Sequence, residues 1–356
     1  MNGLTRLQAF LRSNAYDGVL LLSPTNLNYF AGFSGTTAVA FVSPVQAYIF
    51  TDSRYTEQAK EQCEGYTVIQ YSTTVWDSLR QVVDEEGISL KTCVFEGDYV
   101  PVDTYTAIAG KLDGTSFASA KLAALRAVKR EDELGLMRRA AEIADEAFAV
   151  LLTQLRPGMT ENEARIILEK EMLVRGSSEP SFATIVASGK RSCMPHGVAS
   201  DKVIEEGDFV TFDFGAVYKG YHSDITRTIV MGKASDLQKK LYDIVLTAQK
   251  KGVAAVKPGL TGKALDAICR DSIAEAGYGS YFEHGTGHGV GLDIHEQPVA
   301  SPRSDSVLEP GMVVTIEPGV YIPGEIGLRI EDSVIVTNEG CEILTKTPKE
   351  LIELDV

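Results

Sequence analysis

Two acidic hairpins constrain this chain more than any other feature of its sequence. Thr211-Phe212-Asp213-Phe214-Gly215-Ala216-Val217-Tyr218 reads as one strand, Lys219-Gly220 as a two-residue turn, and Tyr221 to Thr226 as the return strand. In that register Asp224 faces Gly215, and Asp213 lies two residues along on the same face. The two carboxylates become diagonal cross-strand neighbours, and Gly215 is expected to leave space beside Asp224. In the second hairpin Val313 to Glu317 is a strand, Pro323-Gly324 falls in the turn, and Leu328 to Val336 returns. Glu317 and Glu331 are equidistant from Gly324, so a regular hairpin opposes them directly; a bulge would shift that register.

The neighbours Val210, Phe212, Phe214, Ile316 and Ile330 mark these strands as buried rather than as solvated acidic faces. Buried like charges repel and are costly to desolvate. Two divalent cations would balance four carboxylates, and metals paired about 3.5–4 Å apart are a known solution for hydrolysis. The run Tyr281-Phe282-Glu283-His284-Gly285-Thr286-Gly287-His288-Gly289-Val290-Gly291 offers nitrogen ligands. Its glycines argue against a helix, so one histidine per metal site is expected rather than two. Glycine also permits close backbone approach to a ligand. His295-Glu296-Gln297-Pro298 follows closely, and Pro195-His196-Gly197 stands apart.

The remaining chain supplies context. Its 356 residues suggest two domains. With 34 basic and 49 acidic residues the net charge is −15, which disfavours nucleic acid and anionic membranes as partners. Cys63, Cys93, Cys193, Cys269 and Cys341 are scattered and odd in number, against a disulfide framework or a thiolate zinc site. The N-terminal apolar run, Val19 to Leu22, is too short for a signal sequence or a membrane span, and a reducing cytoplasm is expected. Alternating strand and helix signals over the first third predict a small α/β domain: a helical stripe at Leu4, Leu7, Phe10 and Leu11, then strands at Gly18–Ser23, Thr36–Val42 and Ala47–Thr51. A helix capped by Asp52 or Ser53 runs toward Cys63, followed by a strand at Tyr66–Gln70, a helix at Val75–Glu86 and a strand at Thr92–Glu96. A long helix spans residues 130–155. Pro157-Gly158 ends it, and Thr160 with Glu163 forms a capping box for a helix reaching about Arg175. Two more helices, Ser235 to Val256 and Thr261 to Ala276, are separated by Pro258-Gly259. The repeated joint hints at a duplicated helix–helix–strand unit. The domain boundary is placed near residue 125, giving domains 1–124 and 125–356.

With these residues assembled, the sequence resembles the pita-bread metallopeptidases: aminopeptidase P, prolidase, methionine aminopeptidase and the creatinase relatives. The matching stretches are Ile185-Val186-Ala187-Ser188-Gly189, Pro195-His196-Gly197, Asp213-Phe214-Gly215-Ala216, Ser223-Asp224-Ile225-Thr226-Arg227-Thr228, His284 to Gly291, Ile316-Glu317-Pro318-Gly319 and Arg329-Ile330-Glu331-Asp332. The resemblance covers essentially the whole chain. It implies a creatinase-like α/β N-terminal domain and an α+β pita-bread catalytic domain.

It also implies roles. Asp213 would chelate one metal, His288 and Glu317 the other, with Asp224 and Glu331 bridging. Manganese, cobalt or zinc are the usual metals, and an O/N shell without thiolate fits manganese. Glu317 would accept the proton of an attacking water and pass it to the leaving proline nitrogen. His196 and His295 would bind substrate and stabilise the oxyanion, His284 would line the proline pocket, and Arg329 would orient the bridging carboxylates. The substrate's free amine near the metals would restrict cleavage to the first residue. A homodimer is implied as well. Proline-containing peptides are the expected substrates.

Within the family, the large N-terminal domain argues against methionine aminopeptidase, and the full ligand set against creatinase. The contest lies between an Xaa-Pro aminopeptidase, the first reading, and an Xaa-Pro dipeptidase. Some prolidases carry an arginine directly after the His-Glu-x-Pro stretch, suited to a dipeptide's carboxylate. Val299 stands there in this chain, with Arg303 four residues on, which leans toward longer substrates. A non-catalytic peptide-binding module is the alternative from another class, since related chromatin chaperones keep the fold and lose the ligands. His222, Cys193 and Trp76 are read as packing residues.

Overall fold

The computed structural model describes residues 2–355, which divide into two compact units, one ending at Arg126 and the other beginning at Ala127. The first contains α1 (Gly3–Ser13), β1 (Gly18–Leu21), α2 (Pro24–Ala31), β2 (Ala38–Val42), β3 (Ala47–Thr51), α3 (Thr56–Gln62), β4 (Thr67–Gln70), α4 (Val75–Glu85), β5 (Thr92–Phe95), α5 (Val102–Lys111) and β6 (Ser116–Ser119). They form one six-stranded sheet in the order β4-β3-β2-β1-β5-β6. The pairs β1–β2 and β2–β3 are antiparallel and the other three are parallel. Strand periodicity distributes the core to both faces. Val19 and Leu21 pack with Leu7 and Leu11 of α1. The intervening Leu20 packs on the other side with Leu79 and Val83 of α4.

Three elements here escape the pattern reading: α2, α5 and β6. The helix α2 starts from Ser23, whose side chain caps Asn26, followed by proline in the first turn. Its body, PTNLNYFA, carries two asparagines and little helical periodicity. For α3 the cap is Tyr55 without a side-chain bond, rather than Asp52 or Ser53. Asp52 is engaged elsewhere, accepting from the Arg54 backbone N–H at 2.9 Å and from its guanidinium.

The second unit contains α6 (Glu131–Gln154), α7 (Glu161–Val174), β7 (Ile185–Ser188), β8 (Phe209–Phe214), β9 (Val217–Tyr218), β10 (Tyr221–His222), β11 (Ile225–Met231), α8 (Asp236–Ala255) and α9 (Gly262–Glu275). It continues with β12 (Gly287–Gly289), β13 (Glu296–Ala300), β14 (Val313–Ile316), β15 (Gly319–Ile322), β16 (Ile326–Arg329), β17 (Asp332–Val336), β18 (Cys341–Ile343) and β19 (Ile352–Leu354). Sheets of order β19-β11-β8-β7 and β13-β12-β14-β17-β18 carry most of the strands. Phe148, Leu151 and Leu168 of α6 and α7 pack on Phe212, Phe214 and Ile225 of the first sheet. Leu241, Val245, Leu265 and Cys269 of α8 and α9 pack on Val314, Ile316 and Val334 of the second.

The duplicated pattern extends to the joints. Gly158 and Gly259 both adopt positive φ, 92° and 82°. Gly158 donates to Ile204 and Gly259 to Leu308, each at 2.9 Å. Thr160 and Thr261 cap α7 and α9, accepting from Glu163 and Ala264 at 3.1 Å in both cases. Each threonine also bridges an outlying chain segment, at Val203 and Val307 respectively.

Candidate metal centre

The first hairpin has the expected register, but its strands, expected to be continuous over Thr211–Tyr218 and Tyr221–Thr226, break at residues 215–216 and 223–224. Asp213 pairs with Thr226, Phe214 with Ile225 and Tyr218 with Tyr221. Lys219 and Gly220 both take positive φ, 48° and 85°, as a tight right-twisting turn requires. Gly215 serves a different purpose from the one expected. A Cβ there would lie 1.9 Å from the Ser223 carbonyl oxygen. The glycine permits two backbones to touch and does not open room beside Asp224.

The second hairpin also keeps its register, with Ile316 opposite Asp332 and Gly319 opposite Arg329. Its return strand, expected to be continuous from Leu328 to Val336, breaks at Ile330 and Glu331. The glutamates turn their backbones to other partners. Glu317 N–H donates to Thr286 at 2.8 Å, and Glu331 N–H donates to Thr226 at 3.1 Å. The hairpin is shared between two sheets at the level of its two carboxylates, and Glu331 thereby reaches the first hairpin.

Carboxylate oxygens of Asp213, Asp224 and Glu331 all lie within 4.8 Å of one another. His288 Nε2 is 3.5 Å from Asp224 Oδ2 and 3.4 Å from Glu317 Oε1. His196, His284, His295 and Arg329 join these five around one cavity of about 500 Å³. The structure thus brings together every site residue inferred from the sequence. His222, Cys193 and Trp76 do not line this cavity.

Burial and mutual repulsion push Asp224 and Glu331 well above the ordinary carboxylate range, and burial raises Glu317. Asp213 Oδ1, Asp224 Oδ1 and Glu331 Oε1 are buried without a hydrogen-bond partner among the described residues. Such atoms are costly unless a cation meets them. Burial also lowers His288 toward its neutral form. Its Nδ1 lies 3.0 Å from the Gly289 carbonyl, so the proton sits on Nδ1 and the Nε2 lone pair faces the acids. Oxygen and nitrogen donors converging on one space, with no thiolate, suit a hard or borderline divalent cation.

Several supporting residues were not singled out from the sequence. Thr226 donates to Glu331 Oε2 at 2.6 Å and accepts from Arg329 Nε at 3.0 Å. Thr315 donates to Glu317 Oε1 at 3.0 Å and accepts from the His288 N–H, also at 3.0 Å. Both threonines lie two residues from an acid on the same strand face, so the period of two could have found them. Arg329 also donates to Asp213, to the Pro195 carbonyl at 3.1 Å and to Tyr321 Oη at 2.6 Å. The Tyr321 hydroxyl can then donate to His284 Nε2 at 3.2 Å, since His284 Nδ1 faces the Gly285 carbonyl. Buried Asp266 accepts from Thr286 N–H at 3.0 Å and from Arg270. Arg270 in turn donates to the carbonyls of Phe282 and His284 at 2.6 and 2.7 Å, fixing the glycine-rich segment.

Comparison with known proteins agrees with this geometry. The model of metallopeptidase family M24 matches residues 135–338, and that of the creatinase/prolidase N-terminal domain matches residues 4–128. The chain is 40% identical over 352 residues to an Xaa-Pro dipeptidase of Pyrococcus furiosus, covering 98% of this chain and 99% of the relative. A solved structure of an Xaa-Pro dipeptidase from Bacillus anthracis superposes with a TM-score of 0.96 at 49% identity, covering 99% of each chain. That of an X-Pro aminopeptidase from Thermotoga maritima superposes at 0.90 with 39% identity, covering 97% of this chain and 100% of the other.

Proposed function

Because the chain belongs to metallopeptidase family M24 and carries a creatinase/prolidase N-terminal domain, we propose that it hydrolyses the bond between an N-terminal residue and a following proline. Three clustered acids, each with a buried oxygen that lacks a hydrogen-bond partner among the described residues, carry this reading. Asp213, Asp224, His288, Glu317 and Glu331 would hold two divalent cations, with Asp224 and Glu331 shared between them. Manganese suits this donor set, and cobalt or zinc are the alternatives. When bound, such a pair acidifies water and polarises the scissile carbonyl.

The chain's own residues complete the chemistry. Glu317, held by Thr315, takes the proton of the attacking water and delivers it to the departing proline nitrogen. His196 and His295, both exposed at the cavity, donate to the substrate and to the oxyanion. His284, held between Gly285 and Tyr321, forms a wall of the proline site. Arg329 keeps Asp213 and, through Thr226, Glu331 in place. The complete acid and histidine set speaks against a module that only binds peptides.

The names of the relatives favour the dipeptidase reading over the aminopeptidase. One observation favours the aminopeptidase: Val299 lines the cavity, while Arg303 is exposed and outside it. Hydrolysis of Ala-Pro beside Ala-Pro-Ala, on metal-stripped enzyme resupplied with manganese, cobalt or zinc in turn, separates the two. Cleavage confined to the dipeptide establishes the dipeptidase. Efficient cleavage of the tripeptide establishes the aminopeptidase, and cleavage of neither refutes both. Five free cysteines accord with a cytoplasmic site of action. Among the described residues no helix is long and apolar enough to cross a membrane. Family resemblance supports a homodimer.

A further inference from the structure

Glu161, on the first turn of α7, is fully buried. The helix does not require it as a cap, because Thr160 and Glu163 already form a reciprocal capping box. Its carboxylate instead gathers both ends of the segment that carries His196. Oε1 accepts from the N–H and hydroxyl of Ser188, at 2.7 and 2.8 Å, where β7 ends. Oε2 accepts from the N–H and hydroxyl of Ser200, at 3.1 and 2.6 Å, where the segment rejoins α7. Arg191, inside the segment, donates to the same oxygen and reaches across to the Val198 carbonyl at 2.9 Å.

At the far end, Arg329 holds the Pro195 carbonyl at 3.1 Å. His196 itself is exposed, and no hydrogen bond to its ring is found among the described residues. Its place over the cavity is therefore set by the backbone of the segment. That backbone is closed at its base by the buried Glu161 carboxylate, alongside the backbone bonds of Asn162 N–H to Ser200 at 2.9 Å and of Ala199 N–H to Thr184 at 3.4 Å. Charge-assisted bonds to a dry carboxylate are the strong kind, and a closed loop whose base is released regains conformational freedom.

We propose that Glu161 is a positioning residue that sets His196 over the substrate by closing residues 189–200 into one rigid loop. The consequence for catalysis rests on the reading of His196 as a substrate-contacting residue. The test uses the full-length, metal-loaded enzyme. In E161Q, hydrogen–deuterium exchange of peptides within 189–200 should rise about tenfold while α8 and α9 are unchanged, matching the loss of one charge-assisted bond set. Metal content should stay at the wild-type value, and kcat/KM for Ala-Pro should fall about tenfold. Added to His196→Ala, the same substitution should cost less than about twofold more, because its effect passes through His196.

Unchanged exchange in 189–200 would overturn the anchor. An equal loss in the His196→Ala background would overturn positioning in favour of a general structural role. If His196→Ala alone retains full kcat/KM, the substrate role of His196 falls and the catalytic consequence with it, while exchange still decides the anchor. Should E161Q not fold, Ser200→Ala removes the shortest serine bond to Oε2 and is read by the same measurements with smaller effects in the same direction.

Discussion

Replacing Asp224 by Asn should stabilise the metal-free protein and weaken the metal-loaded one. Asp224 is 4% exposed, and its Oδ1 has no hydrogen-bond partner among the described residues. Burial, then the charge of Glu331, raises its carboxyl well above the usual range. The sign follows from linkage. A carboxyl raised in the folded state carries no penalty below the unfolded value, about 3.9, and the penalty grows as pH rises until the folded value is passed. At neutral pH the metal-free wild type therefore bears it, and the neutral isosteric amide does not. A buried unsatisfied polar group costs about 1–3 kcal/mol. Metal-free D224N should gain about 2 kcal/mol, or about 4–8 °C in Tm for a unit of this size. Calorimetry in chelator and in excess manganese reads both states. The gap should narrow at mildly acidic pH and reverse when manganese is present. An equal or lower Tm for metal-free D224N at neutral pH would refute the assignment of Asp224 as a buried, uncompensated anion.

Three further outcomes are expected. Lys129→Met removes the cation 2.6 Å from Glu296, a pair in which both side chains are 1% exposed; chemical denaturation should show a loss of about 3–5 kcal/mol, and adding Glu296→Gln should recover part of it. Thr226→Val deletes the donor to Glu331 Oε2 and should weaken metal affinity about 10- to 100-fold by calorimetric titration, with unchanged affinity excluding that role. His295→Ala should depress turnover of Ala-Pro while metal content stays at the wild-type value, and loss of metal would show that His295 ligates instead.

Local rules made much of the site legible. A period of two with a tight turn at Lys219-Gly220 placed Asp213 beside Asp224, because the turn alone sets that register. Both hairpins were legible in register but not in continuity. The second hairpin breaks where Glu331 N–H turns to the Thr226 carbonyl and Glu317 N–H to that of Thr286, partners no hairpin rule can see. Gly215 was misread for a different reason: the Ser223 carbonyl lies across the same hairpin, where its two backbones touch. Glu161 was invisible because Ser188 and Ser200 stand 27 and 39 residues away from it. In the first unit, α2 lacked helical periodicity, although Ser23, placed in the preceding strand, and Pro24 together are a helix start.

On the proposed reading, Asp213, Asp224, His288, Glu317 and Glu331 form one centre for two cations. Metal analysis of manganese-loaded, extensively dialysed wild-type and Asp224→Ala proteins, with Ala-Pro hydrolysis measured on the same samples, tests it most directly. The wild type should retain about two metals per chain, and Asp224→Ala should lose metal and hydrolysis together. Full metal content or full activity in Asp224→Ala, or a wild type that binds no divalent cation, would contradict it.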